Sequence, residues 1–159
     1  MDPAQWIAGF KILHEQMKKG LLKDDEQKKY VAMAEELARS LMAAQGMAPP
    51  SGVPARRAFR VAHVFPIEID NVSRTMTREI SCQGFTATVN GMFKEGQQIS
   101  WALTLSRGTD PMQGMATVET APRIGGGSSR VTANFNKLTE AQLQRLELAL
   151  VDAALSRFG

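Results

Sequence analysis

Through roughly residues 2–45, apolar side chains recur at helical spacing. Trp6, Phe10, Leu13 and Met17 are separated by four, three and four positions and form one stripe. Asp2 can cap this helix, Pro3 suits its first turn and Gly20 is a stop. A second stripe runs through Tyr30, Met33, Leu37, Leu41 and Ala44, with Asp24 as cap, Asp25 and Glu26 at the positive end, and Gly46 beyond. Two stripes on a short loop predict an antiparallel helical hairpin. Met47 to Pro54 then holds three prolines and a glycine, so regular structure should stop there.

After Pro54 the period falls to two. Residues 61–69, 73–80 and 84–89 read as strands, with Pro66 marking an edge or bulge. Ile99, Trp101, Leu103 and Leu105 alternate with Ser100, Ala102 and Thr104, as a half-buried strand requires. Residues 115–120 and 130–135 are two more, joined by the turn Gly125-Gly126-Gly127-Ser128-Ser129. Short strands at short intervals predict a small antiparallel barrel or sandwich. A last helix follows, with Thr139 and Gln142 spaced as a capping box and Leu143, Leu146, Leu150, Ala154 and Phe158 on its apolar face. The fold class is α+β: a helical hairpin at 1–46, a linker at 47–54, and a small antiparallel barrel or sandwich with a C-terminal helix at 55–159.

Composition narrows the function. The chain has 159 residues, 43% hydrophobic and 22% charged, with a net charge of +3. That charge is too small to imply nucleic acid by itself. A single cysteine, Cys82, excludes an internal disulfide framework. No apolar run is long enough to span a bilayer and no signal-peptide pattern opens the chain, so a cytoplasmic location is expected. His14 and His63 stand apart, without partners at metal-ligand spacing. No base is evident for Cys82, and the glycine triplet lacks the Lys-Ser/Thr of a phosphate loop. Nothing here supports catalysis or a bound cofactor.

The densest basic feature is Ala55-Arg56-Arg57-Ala58-Phe59-Arg60, directly after the linker. It is followed by Glu79-Ile80-Ser81-Cys82-Gln83-Gly84. Alone, the first suits a solvated basic patch and the second is turn chemistry. Together and in this order, from about Pro54 to the C-terminus, they resemble the PilZ family, bacterial receptors for cyclic di-GMP. The resemblance implies a six-stranded barrel with a C-terminal helix. It implies that Arg56 and Arg60, with Arg57 auxiliary, engage phosphates and guanine edges, which a guanidinium fork matches bidentately. Ser81 and Gly84 match the second motif, whose glycine leaves room for the base. Glu79 stands where the family has Asp or Asn, a carboxylate one methylene longer.

The expected function is a cyclic di-GMP receptor-adaptor, and no enzyme. Residues 53–60 should be mobile until the nucleotide neutralises the arginines and reorients the hairpin toward a protein partner. The Trp6, Phe10 and Leu13 stripe is expected to pack against the second helix inside the hairpin; the alternative is that surface left over docks on the barrel or pairs with a second copy as a homodimer. The alternative reading is a PilZ-like interaction module without a nucleotide site, acting through its hairpin. A nucleic-acid binder is disfavoured because no broad basic face or aromatic platform accompanies the arginines.

Overall fold

The computed structural model describes residues 2–158. The chain divides into two compact units, one built from residues up to Phe59 together with Glu147 onward, the other from Arg60–Leu146.

The first unit is helical. Helix α1 spans Pro3–Lys18 and α2 spans Asp24–Ala44. Asp2 caps α1 by accepting the Ala4 N–H at 2.7 Å, as expected. Gly20 and Gly46 both lie at φ +70°, the left-handed turn that ends each helix. Asp24 is the first helical residue and not the cap; Lys23 occupies the cap and its N–H donates to Glu26. The buried positions are Phe10 and His14 on α1, and Tyr30, Ala34, Leu37, Ala38 and Met42 on α2. Leu150, Val151, Ala154 and Leu155, from the end of α3 (Glu140–Leu155), are also buried.

A polar pair sits within this apolar packing. His14 is 2% exposed and its ring stacks on Tyr30. Its Nε2 is 3.0 Å from Asp152 Oδ1 and its Nδ1 is 2.8 Å from the Tyr30 hydroxyl. A carboxylate only accepts, so Nε2 carries the proton and Nδ1 accepts from Tyr30. Burial lowers the His14 pKa; the bond to Asp152 opposes this and does not overcome it. Burial likewise raises the Tyr30 pKa. Lys18 reaches the same Asp152 oxygen at 2.8 Å from the solvent side.

The second unit is the barrel. Its strands are β1 (Pro66–Ile69), β2 (Ser73–Ile80), β3 (Gly84–Asn90), β4 (Gln98–Leu103), β5 (Met112–Thr120), β6 (Arg123–Gly125) and β7 (Ser128–Phe135). They pair antiparallel in the order β3-β2-β1-β4-β5-β7, and β3 pairs with β7 to close a six-stranded barrel. Strand β6 pairs with the start of β7, at Ser128 and Ser129. The period-two pattern sets the register. Phe85, Ala87 and Val89 of β3 face inward opposite Ala133, Val131 and Ser129 of β7, and Ile99, Trp101 and Leu103 of β4 are buried too. Thr139 and Gln142 form the expected capping box, with reciprocal bonds of 3.0 and 3.1 Å.

Two stretches differ from the sequence reading. Residues 61–65 form no regular strand; Val61 pairs with Ile80 as an isolated bridge. The Thr77 hydroxyl accepts the Phe65 N–H at 2.9 Å and donates to the His63 carbonyl at 2.8 Å, and the Thr77 N–H donates to the Phe65 carbonyl at 2.9 Å, so one residue of β2 holds this stretch in place of a regular ladder. The strand therefore begins at Pro66, whose missing N–H is tolerated at a strand start. The glycine triplet joins β6 to β7, and all three residues take positive φ, 97°, 64° and 78°. Phe158, expected on the apolar face of α3, is 45% exposed beyond the helix end.

Candidate nucleotide site

The paired backbone bonds of Val61 and Ile80, each 3.0 Å, fix Arg60 beside the end of β2. Here β2 turns into β3 through Cys82 and Gln83. The Ser81 N–H donates to the Gly84 carbonyl at 2.9 Å, and the Ser81 hydroxyl accepts the Gln83 N–H at 3.0 Å. Ser81 is thus buried as the residue that shapes the turn. Gly84 is required by the barrel itself, because a Cβ there would run into the Ala133 carbonyl of β7.

Arg60, Glu79, Ser81 and Gly84 line one shallow cleft, with Gln83, Thr86, Thr132 and Asn134 among the other walls. Arg60, the last residue of the first segment, and the second segment, about twenty residues on in sequence, therefore share one cleft of the barrel. The cleft encloses about 30 Å³, room for roughly one water. A ligand of nucleotide size would lie across this face rather than inside it. Arg60 and Glu79 are exposed, and among the described residues neither side chain has a hydrogen-bond or ion-pair partner. They offer a donor fork and an acceptor carboxylate side by side on the cleft rim.

Thr86, Thr132 and Asn134 were not singled out from the sequence. Thr86 and Thr132 are opposite one another in the β3–β7 register, their hydroxyl oxygens 3.3 Å apart, and Asn134 is opposite Gly84. As single residues they are ordinary outward-facing strand positions. Only the pairing of two distant strands brings them together.

Arg56 and Arg57 belong to the helical unit. Ala55–Arg57 forms a short 3-10 turn with Ala55 fully buried. The Glu35 carboxylate on α2 accepts the Ala55 N–H at 2.8 Å and the Arg56 N–H at 3.2 Å, and it lies 3.4 Å from the Arg56 guanidinium. Glu147 on α3 binds both arginines, Oε1 to Arg56 Nε at 2.8 Å and Oε2 to Arg57 Nε at 2.9 Å. Burial pushes the Glu35 pKa up, but the two backbone bonds and the charges of Arg56 and Arg39 outweigh it and leave the group below its ordinary value. The sequence predicts a mobile segment of unneutralised arginines. Here two carboxylates supply the neutralisation.

No family model matches the chain, and no curated protein does. Among solved structures, the inhibitor of motility MotI/DgrA from Bacillus subtilis matches with a TM-score of 0.54 at 17% identity. The match covers 62% of this chain and 50% of that one, so the chain spans about half of that protein's length. The PilZ domain of YcgR from Escherichia coli, solved with c-di-GMP, matches over 62% of this chain and 89% of that one, with a TM-score of 0.49 and 13% identity. At such identities the likeness is one of fold. The barrel, followed by its C-terminal helix, has a PilZ-like fold. Among the described residues no helix is long and apolar enough to cross a membrane, and no cluster of His, Cys, Asp and Glu could hold a metal ion.

Proposed function

We propose that this chain is a cytoplasmic receptor-adaptor for cyclic di-GMP. One observation carries the reading: Arg60 from the first motif and Glu79, Ser81 and Gly84 from the second line a single cleft on a PilZ-like barrel. In this reading Arg60 donates to a guanine edge or a phosphate, and Glu79 accepts from the guanine ring N–H groups. Thr86, Thr132 and Asn134 add hydroxyl and amide contacts along the floor. Arg56 and Arg57 supply further guanidinium forks from the segment just before Arg60. Residues 1–46 act as the output hairpin for a protein partner, 47–54 as linker and 55–159 as receptor.

Calorimetric titration with cyclic di-GMP, with GTP and cyclic di-AMP as controls, tests this. Selective binding at micromolar concentration or tighter, lost in Arg60→Ala, is the expected result. A second reading rests on its own observation, that Glu35 and Glu147 already neutralise Arg56 and Arg57. The chain would then be an interaction module without a nucleotide site. Absence of heat with every nucleotide selects it.

A further inference from the structure

The arginines of the first motif are in two different states. Arg60 is exposed and, among the described residues, has no partner. Arg56 and Arg57 are each 22% exposed and held by carboxylates that are themselves only 19% and 14% exposed. Glu147 divides its two oxygens between consecutive arginines, and Glu35 takes one guanidinium edge together with two backbone N–H groups. These are the donors that a phosphate would use. We propose that Glu35 and Glu147 form a latch that competes with the phosphates of the ligand for Arg56 and Arg57.

The inference rests on the receptor reading above and adds its regulation. A ligand phosphate that recruits Arg56 and Arg57 must displace two carboxylates, each contributed by a different helix. Paired charges also cancel, so the latched arginines attract an anion weakly until released. Release removes the bonds that tie α2, through Glu35, and α3, through Glu147, to residues 55–57. Nucleotide occupancy is thereby converted into a change within the helical unit. The apparent affinity of the wild-type chain is reduced by the fraction of time the latch is closed.

The test is calorimetry of cyclic di-GMP with the full chain, as wild type, Glu147→Gln, Glu35→Gln and Arg60→Ala. Glutamine keeps the shape and one acceptor oxygen but removes the charge. Glu147→Gln is expected to bind roughly tenfold more tightly than wild type, the scale of one charge-assisted hydrogen bond. Tighter binding by Glu147→Gln, or binding by it alone, supports the latch. Equal affinity in wild type and both glutamine variants overturns the latch and leaves the receptor reading standing. Absence of binding in all of them overturns both. Hydrogen exchange on the wild type gives an answer that needs no variant. The Ala55 and Arg56 amides should exchange faster at saturating nucleotide, and unchanged protection there overturns the latch.

Discussion

His14 carries a pH dependence that the sequence hides. Folded, its pKa lies below the ordinary 6.5, chiefly through burial. The unfolded chain therefore binds more protons as pH falls below 6.5, and stability must fall with it. The contribution is complete above 6.5 and is lost progressively toward the depressed folded value. Lys18 opposes the charged ring, whereas Asp152 and Glu15 favour it and are outweighed. Thermal unfolding followed between about pH 7.5 and about pH 5 should show the wild type losing stability faster than His14→Gln. Parallel pH curves for the two proteins would remove His14 as the cause. Gly84 is the second residue-scale constraint. Gly84→Ala places a methyl against the β7 backbone, where no flexible side chain can give way. It should cost about 1–3 kcal/mol, as overpacking does, read from the denaturation midpoint. A binding measurement on this variant would then report lost stability as well as any ligand contact.

At the scale of elements, the capping box of α3 offers a clean test. Thr139→Ala removes the hydroxyl that accepts the Gln142 N–H and should cost about 1 kcal/mol. Exchange should rise in the first turn of α3 and nowhere else. That box was legible because it is local, as were the caps and stops at Asp2, Gly20 and Gly46 and the long alternating strands. Long-range features were not. Strand β6 has three residues, all exposed, and no alternation to read; it exists because the glycine triplet folds it back onto β7. Residues 61–65 read as strand because they are apolar, yet Thr77 takes over their bonds from another segment. On α1 the stripe identified Phe10, but the second buried position went to a histidine. Its partners lie 16 and 138 positions away, so no local pattern could justify burying it. The candidate site divides the same way. Its motif residues fall in two short runs that can be read locally, whereas the neutralising carboxylates Glu35 and Glu147 sit on helices 20 positions before Ala55 and 90 positions after Arg57, with no pattern to link them.

For the whole molecule, the decisive feature is that the helical unit is built from both ends of the chain. His14 meets Asp152, Arg56 and Arg57 meet Glu147, and the Lys11 ammonium donates to the Phe158 carbonyl at 2.8 Å. Leu150, Val151, Ala154 and Leu155 contribute apolar surface that α1 and α2 cannot supply for themselves. A two-helix hairpin alone buries too little to offset the entropy of ordering it. The barrel takes its strands from one uninterrupted stretch within Arg60–Leu146. Ending the chain after Leu146 should therefore have unequal effects on the two units. Amides of α1 and α2 should lose protection, and Trp6 fluorescence should shift toward the solvent-exposed value. Protection in β3, β4 and β7 should persist, and Trp101, 2% exposed in the native chain, should keep its buried emission. Single-tryptophan variants, Trp6→Phe and Trp101→Phe, separate the two signals. If α2 stays protected without residues 147–159, the hairpin stands by itself and the C-terminal residues are not part of its core. If the barrel also melts, strand pairing in the second unit depends on the end of the chain as much as the helices do.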